Sequence, residues 1–117
     1  MQRSHDTAEL YWKVSDAFLE IPDSQEQLAR LGELRLELRE AYALLMQSVR
    51  VVVLEGPAAT ADAAQAVQDA ALKVNQCLWH IIRGDADAQA RFDGLQATYR
   101  QCQGRFVERA RAATEAS

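Results

Sequence analysis

At 117 residues the chain has the length of one domain, enough to bury a core without disulfides or metals. It is 49% hydrophobic and 26% charged, which excludes the disordered class. A net charge of -4 argues against a non-specific binder of phosphate backbones.

Residues 1–10 are polar and no apolar signal core follows them. The longest apolar-rich run, Ala41 to Leu54, is too short for a membrane span and contains Arg50. The expectation is a cytoplasmic chain with no membrane partner, in which Cys77 and Cys102 stay reduced.

Four segments carry helical periodicity. The first is expected from about Asp6 to Glu20, with Asp6 and Glu9 spaced as a capping box. Leu10, Val14, Ala17, Phe18 and Ile21 recur at three and four, and Pro22 ends the run. The second is expected from Ser24 to Leu54, capped by Asp23 or Ser24 with Glu26 or Gln27 reaching back. Leu31, Leu38, Leu45 and Val52 repeat every seven residues, and Leu34, Tyr42 and Val49 fill the same stripe. Gly56-Pro57 stops it.

The third segment is expected from Ala59 to Arg83, with Thr60 as a candidate cap. Its stripe is Ala64, Val67, Ala71, Val74, Leu78 and Ile81, and Gly84 closes it. The fourth is expected from Asp85 to Ala113, with Phe92, Tyr99 and Phe106 every seven residues. Asp85 and Asp87 suit the start of its dipole, and Arg109 and Arg111 its end. Val49 to Leu54 is β-branched enough to make a strand, but a strand needs a partner and the chain offers none. The connections are short, so neighbours should be antiparallel. The predicted fold is therefore all-α. One domain over residues 1–117 forms an antiparallel bundle of about four helices, the first of them short.

The second turn reads Val53-Leu54-Glu55-Gly56-Pro57-Ala58-Ala59 and leads into an Ala-rich helix. The fourth segment carries Phe92, Tyr99, Phe106 and Val107 before an Ala/Arg-rich end. Over residues 42–113 this resembles a loose pattern of small helical proteins from high-GC bacteria. The resemblance implies a helical fold and no activity.

Catalytic and metal constellations are not recognisable. His5 and His80 are the histidines, and the Glu-x-x-His pairs of a di-iron bundle are missing. The cysteines lack CxxC spacing. In a hairpin turning at Gly84-Asp85, Cys77 and Cys102 would differ in height by roughly 13 Å, too far for a disulfide. Glu33, Glu37 and Glu40, interleaved with Arg30, Arg35 and Arg39, read as a solvated face. His80, beside Trp79, lies off its stripe without an assignable Ser, Cys or Asp partner. Arg100, Arg105, Arg109 and Arg111 scatter around the fourth helix, which does not make a nucleic-acid reader. No catalytic residue, metal ligand or cofactor is assigned.

The informative feature is surplus apolar surface. At 100° per residue, Leu44 and Val51 point about 125° away from the core direction of their helix, and Leu54 further still. Trp12 and Leu19 likewise point away from the stripe centred on Val14. The short first helix should cover the second only to about Leu38, leaving this patch open. The function expected is a non-enzymatic interaction module, forming a homodimer or binding another helical protein through Leu44, Val51, Leu54, Trp12 and Leu19. The alternative is a small-ligand-binding bundle whose pocket is lined by Tyr11, Trp12, Trp79 and Phe92 at one end.

Overall fold

The computed structural model describes residues 2–21 and 23–116. Four α-helices account for nearly all of them: α1 (Gln2–Glu20), α2 (Ser24–Glu55), α3 (Ala58–Ile82) and α4 (Ala86–Ala116). No strand occurs among the described residues, and the β-branched run Val49 to Leu54 is helical. Each helix packs on its chain neighbour, and α1 also packs on α4, which closes an antiparallel four-helix arrangement. The result is a rod of 53 × 22 × 20 Å.

Turn chemistry explains the breaks. Asp23 caps α2, its Oδ1 accepting from the backbone N–H groups of Gln25 at 2.9 Å and Glu26 at 3.0 Å. Gln27 does not reach back to that cap. Its amide instead donates to carbonyls at the end of α1, those of Ala17 and Phe18, and to that of Ile21 just past it, at 3.2–3.4 Å. One side chain thus satisfies the orphan acceptors of the preceding helix and fixes the α1–α2 corner. Pro22, expected to end α1, lies outside the described residues. At the next break Gly56 ends α2, its N–H bonded to the Val52 carbonyl at 2.7 Å. Pro57 opens α3 without a side-chain cap; Thr60, the expected cap, lies inside the first turn with its side chain buried. Gly84, at φ +96°, turns the chain into α4, and Asp85 Oδ1 accepts from the N–H of Asp87.

The start of α1 is a correction. The helix begins at Gln2, so Asp6 is a helix-interior residue, 3.9 Å from Arg3, and no capping-box start. The added turn is invisible to apolar periodicity because its buried residue is Ser4, a polar one. The longer α1 also reaches beyond Leu38: Arg3 and Ser4 border a small cavity with Leu45, Ser48, Val49 and Val52.

The core follows the predicted stripes. Leu31, Leu34, Leu38, Leu45 and Val49 of α2 meet Ala64, Val67, Ala71, Val74 and Leu78 of α3. Alanines at 63, 64, 70 and 71 give α3 a thin flank, which lets its two neighbours approach closely and makes it the best-packed element. At the α1 end of the bundle, four aromatic rings fill the centre. Tyr11 lies edge-to-face against Phe92 (6.4 Å between centroids) and Tyr99 (5.1 Å), and Phe18 against Phe92 (5.8 Å).

The α1–α4 seam is different in kind. It is thin and lined by polar side chains: Ser4, Ser15, Gln96 and Gln103. Tyr99 donates its hydroxyl proton to the Ser4 carbonyl at 2.8 Å, and Ser15 bonds Gln96 at 3.0 Å. The Gln96 Nε2 is buried without a partner in this orientation. Turning the amide end for end would let that nitrogen donate to Ser15 Oγ.

Candidate functional site

The side chains expected at an interface are all solvent-facing. On α2, Leu44 is 38% exposed, Val51 55% and Leu54 77%. Even with α1 one turn longer than expected, the three stay uncovered. They lie on the outer side of α2, over its second half, where Leu44 and Val51 stand seven residues apart. Gln47 and Ser48 flank them, and Glu40 and Glu55 bound the strip at either end. Such a row of large apolar side chains without a cover is the kind of surface that associates.

Trp12 and Leu19 are exposed too, but on another seam. The guanidinium of Arg100 in α4 lies 4.8 Å from the centroid of the Trp12 ring. Leu19 borders a shallow groove with Ser15, Phe18, Gln89, Ala90 and Asp93. Both therefore face the α1–α4 side and do not join the α2 strip.

The four aromatics expected to line one pocket are not gathered. Tyr11 and Phe92 are fully buried in the ring cluster, while Trp12 covers the α1–α4 seam and Trp79 the α2–α3 seam. These seams are on opposite sides of the bundle. A shared end of the bundle does not make a shared pocket, because a single-helix angle shows that a residue leaves the stripe but not toward which neighbour. The Tyr11 hydroxyl, 2.9 Å from Asn75 Oδ1 and 3.1 Å from the Ala71 carbonyl, is a structural anchor of α1 on α3. Burial pushes its pKa well above the ordinary tyrosine value, and the neighbouring Tyr99 and Tyr42 hydroxyls add to the rise.

Other polar groups have structural partners. Cys77 is buried, and its Sγ lies 3.0 Å from the Ala88 carbonyl. Burial raises its pKa, Arg91 opposes the rise and Asp85 adds to it, so the thiol is held in its unreactive form. Cys102 is half-buried and free. His80 is exposed, and His5 contacts the Gln103 amide at 3.1 Å through Nδ1. Among the described residues no three His, Cys, Asp or Glu side chains come together as a metal set. None of the helices is long and apolar enough to cross a membrane, among the described residues.

One arrangement escaped the sequence reading. Arg35, read as part of a solvated charged face, lies on the Trp79 ring across the α2–α3 seam, 4.0 Å from its centroid. Arg83 approaches the same ring at 5.6 Å. Beside them runs an open groove of about 360 Å³, lined by Arg35, Leu38, Arg39, Asn75, Gln76, Leu78 and Trp79. The signal available beforehand was the pair Arg35 and Arg39, four apart, with no Asp or Glu three or four residues from either. Comparison with known family models, curated proteins and solved structures found no match to the chain.

Proposed function

We propose that this protein is a non-enzymatic interaction module that pairs with a second copy of itself through the second half of α2. The observation that carries this reading is the uncovered row Leu44, Val51 and Leu54. A two-fold pairing uses each of these side chains twice. With the helices antiparallel across the axis, Leu44 of one copy would meet Val51 of the other, with Gln47 and Ser48 near the centre. Full burial of a Leu or Val contributes about 1.5–3 kcal/mol. These side chains are already partly covered, so the gain is about half of that, or on the order of 4.5–9 kcal/mol for six of them. This is comparable with the cost of association, so the dimer is expected to be reversible and concentration-dependent.

Sedimentation or light scattering across a micromolar concentration series tests the reading. The unmodified chain should dimerise, and Val51→Asp, which sets a carboxylate against the opposing leucine, should be monomeric. A native chain that is monomeric at high micromolar concentration would defeat self-association. A dimer that survives Val51→Asp would show that another surface pairs the copies.

A further inference from the structure

The geometry points to the Arg35–Arg39–Trp79 groove on the α2–α3 seam as a binding site for a small organic anion: a carboxylate or phosphate group on a flat, apolar body. This does not depend on the pairing of two copies. Arg35 and Arg39 are one helical turn apart on the same helix face, an arrangement that repels. Neither has a carboxylate three or four residues away. Among the described residues, neither forms an ion pair. The nearby Arg83 stands at the C-terminus of α3, where the helix dipole offsets its charge; the two α2 arginines sit mid-helix and have no such offset. On the facing side, residues 70–82 of α3 contain no Asp or Glu. In a chain of net charge -4, the cleft is thus a local concentration of uncompensated guanidinium.

The rest of the groove supplies what a ligand needs besides charge. Leu38 and Leu78 lie beneath the groove but are essentially fully buried, so its accessible apolar surface comes from Trp79 and the arginine stems. The Trp79 indole, 38% exposed, makes one wall, and Arg35 is already fixed against it. Holding a guanidinium on a ring orients its donor fork before binding and lowers the ordering cost. Asn75 Oδ1 is engaged by the Tyr11 hydroxyl, which leaves the Asn75 amide nitrogen to donate into the groove. A volume of about 360 Å³ suits a molecule of one ring and its anionic group. The two forks would take the oxyanion between them, relieving the Arg35–Arg39 repulsion, while the ring lies against the exposed part of the Trp79 indole.

The test is a titration of Trp12→Phe, in which Trp79 is the sole tryptophan, with phenyl phosphate at fixed ionic strength. Emission is read beside calorimetry on the native chain. A saturable response with a midpoint on the order of 1 mM is expected for so small a ligand. In Arg35→Gln/Arg39→Gln the midpoint should rise about tenfold or more, since two charge-assisted bonds are lost. Arg39 is exposed and Arg35 half-buried in the seam, and circular dichroism checks that the variant keeps the fold. Phenol, which lacks the anion, and inorganic phosphate, which lacks the ring, should each bind at least about tenfold more weakly. A response that does not saturate, or one equal in the Gln/Gln variant, would overturn the site. Inorganic phosphate binding as well as phenyl phosphate would overturn the role given to the Trp79 wall.

Discussion

Replacing Tyr11 by Phe separates two jobs done by one side chain. The ring sits at zero exposure between Phe92 and Tyr99 of α4, and the hydroxyl crosses the bundle to Asn75 and Ala71 of α3. Phenylalanine keeps the ring and its edge-to-face pairs and removes only the hydroxyl. The lost hydrogen bond is worth about 1 kcal/mol net, because Asn75 is half-buried and can turn to water, and the Ala71 carbonyl lies in a helix ladder. Tyr11→Ala removes the ring as well, at about 3–5 kcal/mol for the cavity and up to about 1 kcal/mol for each aromatic pair. For a domain of this size, 1 kcal/mol moves Tm by about 3–6 °C. Tyr11→Phe should therefore melt about 3–6 °C below the native chain, and Tyr11→Ala at least about 10 °C below it. Thermal and urea melts by circular dichroism, at one fixed protein concentration, measure both. If Tyr11→Phe costs as much as Tyr11→Ala, the aromatic cluster is not what holds α1. If Tyr11→Phe costs nothing, the cross-bundle hydrogen bonds add no stability.

Native stability should begin to fall as pH rises past about 8.5, where the unfolded chain's Cys77 thiol ionises first, and fall more steeply above about 10. Burial raises the Tyr11 and Tyr99 pKa values above the unfolded value of about 10, so only the unfolded chain ionises there. The limiting slope is about 1.4 kcal/mol per pH unit for each tyrosine, and Tyr11→Phe should remove one of the two contributions in urea melts at pH 10–12. Gly84→Ala, at φ +96°, should cost about 1–2 kcal/mol by the same melts, because a Cβ there is strained even though the space around it is open. A thiol reagent added to the folded protein should modify Cys102 quickly and Cys77 only as fast as the bundle opens, giving two kinetic phases that merge in denaturant.

The architecture was legible because each stripe is long and separated by a strong stop. Gly56-Pro57 and Gly84 fix their turns by backbone geometry that short-range sequence reports directly. What was not legible depended on register between helices. Ser4 lies in the turn that carries α1 further, a buried polar residue matched by Tyr99 of α4, and no apolar period could signal it. Gln27 suits a local cap by spacing, yet it serves the end of the previous helix, a choice settled only once α1 and α2 are folded together. The exposed strip Leu44, Val51 and Leu54 could be read from helical angle, because the outer face of α2 stays open even where α1 reaches further than its apolar period implied. Trp12 and Trp79 could not, since the seam each one covers is set by a partner arginine on a different helix.

The unequal helix lengths carry a consequence for composition. Cys77 is level with Ala88, and Asp62, Ala63 and Ala66 border one hollow with Cys102, Arg105 and Arg109. That register brings the start of α3 level with about residue 110 of α4, so the final turns of α4, to Ala116, run on past it. Packing cannot dictate a helix there, and each peptide unit must favour the helical state unaided. Residues 111–116 read Arg-Ala-Ala-Thr-Glu-Ala, all but Thr114 among the strongest intrinsic helix formers. Along α4 the basis of order thus changes from burial of Phe92 and Tyr99 to the small conformational entropy that alanine and straight-chain residues lose on coiling.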